Sequence, residues 1–187
     1  MARFEYLMKD EFDTVEQKIF DILADNMTLI APSGESRDED HRTWYSAVRE
    51  GLKAEQRKIV LIKENNTDNI IGFFQYYVNF ETFMMEEIQI IPECWGKDSI
   101  FRDLYGFVLS HIEVPPHYVS AYANKSNEKS VSILRHLGLE IVEENKNGNS
   151  YKLRGDFSAL VIWYRSRIDN GVVTEQELKP RKIRNIK

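Results

Sequence analysis

The sequence predicts an α/β (α+β) fold in which helices flank a mixed, mostly antiparallel sheet. Helical patterns, with apolar residues three and four positions apart, alternate with short runs rich in β-branched and aromatic residues. These patterns follow one another in the order β-α-α-β-β-β-α-β-α-β-β-α. Turns join some strands and helices join others, so we expect hairpins and parallel crossovers within one sheet.

The first half of the chain predicts a strand, two helices and three further strands. The first strand covers 3–9, and a helix over 11–30 has its apolar stripe at Phe12, Val15, Ile19, Phe20, Ile22 and Leu23. After a loop over 31–37, Asp38 or Asp40 can cap the second helix, whose apolar side includes Trp44, Tyr45, Val48 and Leu52. The next strands cover 59–62, 70–80 and 84–91, and Pro92 ends the last of them.

The second half predicts two crossovers and a closing hairpin. One helix has its apolar stripe at Ile100, Leu104, Phe107, Val108 and Ile112, and a strand over 118–123 follows it. A helix over 127–137 ends at Gly138, and strands over 139–144 and 150–154 form a hairpin. The final helix, over 157–168, carries more apolar surface than a free helix exposes. We therefore expect it to dock on its own sheet or on a second subunit as a homodimer.

Length and composition favour a single domain. The chain has 187 residues, of which 42% are hydrophobic, and no repeat or linker divides it. We expect the domain to cover 1–155, with the C-terminal helix and basic tail over 156–187 packed on the same domain. No apolar run is long enough to span a bilayer and the charged opening does not fit a signal peptide, so a cytoplasmic location is expected.

The charge and the metal-ligating residues argue against several classes of protein. Five of the 25 basic residues lie in the last nine positions, which leaves 20 basic against 30 acidic side chains over residues 1–178. A body this acidic repels phosphate backbones, so nucleic acid is not an expected partner. The only cysteine, Cys94, cannot form an internal disulfide, and the four histidines are too scattered to predict a metal site.

Residues 87–98 read EIQIIPECWGKD, an apolar strand followed by Pro-Glu and a Gly-Lys turn that opens a helix. Residues 127–139 read NEKSVSILRHLGL, with Asn at a helix start and Gly-Leu at its end. In this order and separation, the two segments resemble the GNAT family of N-acetyltransferases. The resemblance covers residues 3–154, about four-fifths of the chain, and the predicted order of elements suits the GNAT fold.

The resemblance implies that acetyl-CoA is a cosubstrate and that no metal is needed. A strand that runs directly into a helix leaves free amides at 96–101, and these amides and the helix dipole can hold a diphosphate. By position in the family, the backbone of Ile90 and Ile91 orients the pantetheine arm. The remaining candidate cofactor-binding residues are Trp95, Gly96, Lys97, Asp98, Ser99, Ile100, Phe101, Asn127 and Ser130.

The implied reaction is direct attack of a primary amine, on a small molecule or a peptide, on the thioester. Glu87 is the candidate general base, and the alternative for this residue is a solvent-facing strand position. The family places a tyrosine that protonates the thiolate where this chain has Leu134, so Tyr122 or water takes that role. The loop between the first two helices generally lines the acceptor site in the family, and its charged residues are either an acidic mouth for a cationic amine or helix caps.

Four positions depart from the family pattern. Trp95 stands where Arg or Gln is usual, Asp98 where Gly is usual, Ile100 where Gly or Ala is usual, and Leu134 replaces the tyrosine. Asp98 either obstructs a phosphate or simply caps the helix. These departures keep a second hypothesis open, in which the chain is a non-catalytic GNAT-like domain that binds a partner or another acyl carrier.

Overall fold

The computed structural model describes residues 2–30, 32–54, 56–96 and 98–168, and these residues form seven strands and five α-helices. The strands are β1 (Ala2–Tyr6), β2 (Arg57–Glu64), β3 (Ile70–Val78), β4 (Thr82–Ile90), β5 (Tyr118–Asn124), β6 (Glu140–Glu144) and β7 (Ser150–Asp156). The helices are α1 (Phe12–Ile30), α2 (Arg37–Gly51), α3 (Asp98–Ser110), α4 (Glu128–His136) and α5 (Phe157–Ile168).

The strands form one seven-stranded sheet in the order β1-β2-β3-β4-β5-β7-β6. Only β4 and β5 are parallel among the described neighbours, and the other pairs are antiparallel. The predicted mixed, mostly antiparallel sheet is therefore confirmed. The parallel pair arises because α3 carries the chain from the end of β4 back to the level at which β4 began.

Helices cover both faces of the sheet. On one face, α1 and α2 pack on β2 and β3 through Ile19, Val48 and Phe73. On the other face, α3, α4 and α5 pack through Leu104, Leu134 and Leu160. Because β3 is buried on both faces, its sequence is a continuous apolar run rather than an alternating one. None of the described helices combines the length and the apolar character that crossing a bilayer requires.

The final helix, α5, packs on its own sheet. Phe157 and Leu160 are buried in the same core as α3. The Trp163 ring meets the Tyr105 ring edge-on, with 5.6 Å between their centroids. The sequence left open whether this helix docks on its own sheet or on a second subunit. In the structure it docks on its own sheet. The basic residues over 179–187 lie outside the described part of the chain.

Two strands end two or more residues earlier than predicted. β1 ends at Tyr6 rather than at residue 9, because residues 9–11 form a short 3-10 turn that leads into α1. β3 ends at Val78 rather than at residue 80. The side-chain Oδ1 of Asn79 accepts hydrogen bonds from the backbone N–H groups of Glu81 (3.0 Å) and Thr82 (2.7 Å), and this closes a turn before the strand can continue.

The predicted cap of α2 is wrong. Ser36, not Asp38 or Asp40, is the N-cap, and its Oγ accepts a hydrogen bond from the Glu39 backbone N–H at 3.3 Å. The Glu39 carboxylate in turn accepts from the Ser36 N–H at 3.2 Å, which completes a capping box. Asp40 instead accepts from the Ser33 hydroxyl at 2.6 Å. The pattern Ser-x-x-Glu at 36–39 is the signal that identifies the cap.

Replacing Ser36 with alanine is expected to lower the free energy of unfolding by about 1 kcal/mol, because the Glu39 N–H loses Oγ as an acceptor and the Glu39 carboxylate loses the Ser36 hydroxyl. Urea denaturation measures the difference. Ser46→Ala is the matched control, since Ser46 is exposed on the same helix and caps nothing. An equal loss in both variants would contradict the assigned cap.

Candidate functional site

The sheet is split at its parallel pair. β4 and β5 are paired with each other only over residues 82–85 and 118–121. Beyond these residues the two strands continue but no longer pair with each other. A cavity of about 390 Å³ opens there. It is lined by Met27 and Ile30 of α1, residues 85–89 of β4, Phe101 and Tyr105 of α3, residues 121–124 of β5, and Asn127, Ser130, Ile133 and Leu134 around α4. Because these helices cover opposite faces, the cavity is lined from both sides of the sheet.

A bulge in β4 brings two carboxylates to one face of the sheet. Gln75 of β3 lies opposite Glu87 and Tyr76 opposite Met85, which leaves Glu86 as the extra residue. Met85 packs in the core on the α3 side. Glu86 is bonded to Gln75, whose neighbours Phe74 and Tyr76 lie in that α3-side core, so Glu86 is on the α1/α2 face. Glu87 bonds to Gln89, which reaches α1, and therefore lies on this face as well.

Glu86 is neutralised by an ion pair. The Arg57 guanidinium of β2 donates to both of its carboxylate oxygens, from Nε at 2.7 Å and from Nη2 at 2.5 Å. Gln75 Nε2 adds a third hydrogen bond at 3.0 Å. A fork of this kind holds a planar carboxylate in one orientation. Of the two adjacent acids, Glu86 is therefore committed to structure.

Glu87 has a different environment. Burial raises its pKa to about 7, and the neighbouring Glu86 charge acts in the same direction. Hydrogen bonds from Gln89 and from the backbone at Ile88 oppose this shift. Gln89 Nε2 donates to Glu87 Oε1 at 2.7 Å. A carboxyl group with this pKa holds and releases a proton near neutrality, which is what a general base needs.

Two tyrosines border the cavity from opposite faces. Tyr122 of β5 lines it and is half exposed, and the alternation with the core residues Ala121 and Ala123 places it on the α1/α2 face. Tyr105 of α3 is buried on the other face, and its hydroxyl donates to the Met85 Sδ at 3.0 Å. Burial raises the pKa of Tyr105. Leu134 also lines the cavity and has no hydroxyl to offer.

Tyr105 was missed by sequence reasoning. It lies within the apolar stripe of its helix and reads as a core residue. The available signal was the phenol itself, because a buried tyrosine usually needs a hydrogen-bond partner.

The loop after β4 leads directly into the first turn of α3, whose backbone N–H groups have no partner within the helix itself. Residues Pro92–Cys94 form a 3-10 turn, and Gly96 adopts a left-handed conformation with φ 76° before α3 begins. The first-turn amides, including those of Ser99, Ile100 and Phe101, have no acceptor within an α-helix. The Ile100 side chain is buried in the core. Lys97 and the side chain of Asp98 lie outside the described part of the structure.

Trp95 folds back on the end of β4. Its indole N–H donates to the Ile90 carbonyl at 2.8 Å, and the Lys129 ammonium lies 4.9 Å from the centre of its ring. The Ile90 carbonyl also accepts from Asn26 Nδ2 at 3.0 Å. The Ile91 amide is already bonded to the Ile71 carbonyl of β3 at 2.9 Å. These two backbone groups are therefore occupied, and the backbone of Ile88 faces the same edge as that of Ile90.

Asn127 and Ser130 lie together at the start of α4. Asn127 is the N-cap, and its Oδ1 accepts from the Ser130 backbone N–H at 3.0 Å. Both residues line the cavity. The second predicted segment is thereby placed beside the opening between β4 and β5.

The charged loop before α2 has another use. Arg37 bonds to Asp21 at 2.7 Å and to Asp25 at 2.8 Å, so it ties α2 to α1. Glu39 is engaged in the capping box. None of the described residues that line the cavity comes from this loop. Arg37 and Glu39 are thus engaged in contacts of the two helices rather than at the cavity.

No model of a known protein family matches the chain, and no curated protein matches its sequence. Solved structures do match. An acetyltransferase from Thermus thermophilus has a TM-score of 0.62 and 11% identity, covering 83% of this chain and 97% of that one. PaiA N-acetyltransferase from Thermoplasma acidophilum, in complex with coenzyme A, has a TM-score of 0.62 and 13% identity, covering 83% and 99%.

Spermidine N-acetyltransferase from Vibrio cholerae, in complex with CoA and spermine, has a TM-score of 0.55 and 12% identity, covering 86% of this chain and 98% of that one. At these identities the likeness concerns the fold. The chain has the fold of GNAT acetyltransferases, as the resemblance predicted.

Proposed function

We propose that this chain is an acetyl-CoA-dependent N-acetyltransferase that acts on a primary amine of a small molecule or peptide. The observation that carries the proposal is the opening between β4 and β5, where one cavity is lined by residues from both faces of the sheet. Two substrates can meet in such an opening without sharing an entrance. Glu87, with its pKa near 7, borders the place where they meet.

Coenzyme A fits the α3/α4 side of this opening. The first-turn amides of α3 and the Gly96 turn offer donors to a diphosphate. Ala121 and Ala123 line the cavity with small side chains, which leaves room for a narrow chain between the strands. Asn127 and Ser130 border the same path, and the backbone of Ile88 replaces the occupied carbonyl of Ile90 as a partner. When bound, the cofactor supplies the acetyl thioester.

The residues of this chain then handle two protons. Glu87 accepts the proton that the amine loses as its nitrogen forms a bond to the acetyl carbon. The bond from that carbon to sulfur breaks, and the sulfur takes a proton from a hydroxyl group. Tyr122 is our candidate donor, and Tyr105 offers a second hydroxyl on the opposite face. Glu87 then releases its proton to solvent, and the hydroxyl that protonated the sulfur regains one from solvent, which restores the enzyme.

A second candidate function is a non-catalytic GNAT-like domain that binds a partner or another acyl carrier. Two observations favour it. The Trp95 indole already occupies the Ile90 carbonyl, and the buried Leu134 stands where the family has a proton donor.

Calorimetric titration of the full chain with coenzyme A tests the proposal. We expect a Kd in the micromolar range, which corresponds to roughly −8 kcal/mol. Ala123→Leu is expected to weaken binding at least tenfold because it fills the cavity, whereas Ala47→Leu, an exposed position on α2, is the matched control. Thiol release from acetyl-CoA in the presence of an amine panel then separates the two functions: turnover supports the transferase, and binding without turnover supports the alternative. Absence of heat at millimolar coenzyme A would overturn the transferase.

A further inference from the structure

We propose that Asn26 and Gln89 are positioning residues that hold the Glu87 carboxylate, so that Oε1 is fixed by a hydrogen bond and Oε2 receives the proton of the amine. This inference rests on the proposed function, because it assigns roles around the same base. Asn26 lies outside the two segments that carry the family resemblance, and Gln89 lies within the first of them but is not one of its matched residues.

A continuous chain of hydrogen bonds links α1 to Glu87. Asn26 Nδ2 donates to Gln89 Oε1 at 2.7 Å and to the Ile90 carbonyl at 3.0 Å. Gln89 Nε2 donates to Glu87 Oε1 at 2.7 Å. Asn26 is 2% exposed and Gln89 is 8% exposed. These hydrogen bonds are therefore largely shielded from water. In such an interior each of them is stronger than it would be at the surface.

The orientation of the two side-chain amides, and with it the direction of these hydrogen bonds, is fixed by the acceptor groups. The two groups facing Asn26 Nδ2 are carbonyl oxygens, so only the NH2 end of that amide can satisfy them. The Gln89 oxygen is then occupied by Asn26, which turns the Gln89 NH2 end toward Glu87. A reversed Gln89 would set its oxygen against the carboxylate. Oε1 of Glu87 is thus committed as the acceptor of the Gln89 hydrogen bond, and we assign the proton of the amine to Oε2.

A purely structural role does not account for Asn26. The other buried residues of α1 are Phe12, Ile19, Phe20 and Ile22, all of which are apolar. Asparagine is a weak helix former, and a buried amide is stabilising only where its partners are in place. An aliphatic side chain at this position would pack against the sheet without that requirement. What the amide adds is one defined orientation for Gln89 and, through it, for the base.

The charged and titratable groups around Glu87 come from four elements. Glu86 is its neighbour on β4, and Arg57 of β2 neutralises that charge. Tyr122 of β5 and Tyr105 of α3 border the same cavity. From α1, the side chains at this cavity are Met27 and Ile30, and the acids Asp21 and Asp25 of α1 are bonded to Arg37 instead. Gln89 is therefore the side chain that directly stabilises the charged form of Glu87.

Gln89→Met removes the donor and keeps the length of the side chain. Because hydrogen bonds to charged groups are strong, we expect the midpoint of Glu87 titration to rise by about one pH unit. Asn26→Leu leaves Gln89 without its anchor, and we expect a smaller rise in the same direction. Gln75→Met is the matched control, since Gln75 donates to Glu86 rather than to Glu87 and is expected to leave the midpoint unchanged.

Two readouts are taken on the full chain. The acidic limb of kcat/KM against pH reports the ionisation of the base in the free enzyme. Carbon-13 NMR of the glutamate carboxyl groups, with Glu87 assigned through Glu87→Gln, reports its titration without any turnover. The Tm of each variant shows whether it is folded. Asn26→Leu and Gln89→Met are made separately, so that the proposal can still be tested if one of them does not fold.

The outcomes separate the two proposals. A shifted limb together with a shifted NMR midpoint supports the positioning role. An active wild-type protein whose midpoint and limb stay in place in both variants overturns it. If the wild-type chain transfers no acetyl group, the proposed function fails, and the NMR midpoint still decides whether Asn26 and Gln89 control Glu87.

Discussion

Glu87→Gln is expected to lower kcat for acetyl transfer by about 10²- to 10⁴-fold, because the amide cannot accept a proton from the amine. The KM for acetyl-CoA is expected to stay close to that of the wild-type chain, since Glu87 is not among the residues proposed to hold the cofactor. In the wild-type chain, kcat/KM is expected to rise with pH and to level off above about 7, where Glu87 is ionised. The variant loses this limb. All variants are assayed by steady-state kinetics with the same amine substrate. Protonation of the amine then affects every pH profile equally.

The neighbouring acid provides the control for this substitution. Glu86→Gln is expected to retain the acidic limb, because Glu86 is bound by Arg57 and does not act as the base. A second measurement does not depend on turnover. The pKa of Glu87 is raised in the folded chain, so its contribution to stability is lost as pH rises from its ordinary range to about 7. Glu87→Gln is therefore expected to gain Tm relative to the wild-type chain above pH 7 and not below pH 4. A variant that keeps both the limb and the wild-type kcat would remove Glu87 from the mechanism.

The element order was predictable because it depends on local patterns. The last helix was predicted over 157–168, and α5 spans Phe157–Ile168. Gly138, predicted to end the fourth helix, adopts the left-handed conformation with φ 90°. These signals are contained within a few consecutive residues, so they can be recognised without knowing which other elements pack against them. The cap of α2 was wrong for a related reason: several acids compete near Ser36, and only the reciprocal bond to Glu39 decides among them.

The arrangement of the site depends on contacts that no local pattern reports. Strict alternation along β4 would place Glu86 and Glu87 on opposite faces, and the bulge that brings them to one face is set by the pairing with β3. The opening between β4 and β5 exists because their ladder stops after residues 85 and 121. Asn26 sits among the apolar positions of its helix, and its role emerges only from Gln89, 63 residues away. Sequence reasoning could therefore name Glu87 as a candidate without finding the residues that control it.

Arg57→Met is expected to lower the free energy of unfolding by about 1.5–3 kcal/mol, because it leaves the partly buried Glu86 carboxylate without its cation. The methionine keeps most of the apolar stem that lies near the Tyr77 ring, so the loss reports mainly the charge. The same change exposes Glu87 to an uncompensated negative neighbour. We expect the acidic limb of kcat/KM to move to higher pH, in the direction in which the Glu86 charge already acts. Urea denaturation and the pH profile measure the two effects.

A double substitution separates charge from packing. In Arg57→Met with Glu86→Gln no charge is left unpaired, so the loss of stability is expected to fall below about 1 kcal/mol and the limb to return toward its wild-type position. A double variant as unstable as Arg57→Met alone would mean that the arginine acts through its packing. The distinction bears on the site as a whole, because a bulge that sets two carboxylates side by side is tolerable only if one of them is neutralised. With Glu86 paired to Arg57, Glu87 is left as the acid whose charge the chain can vary near neutral pH.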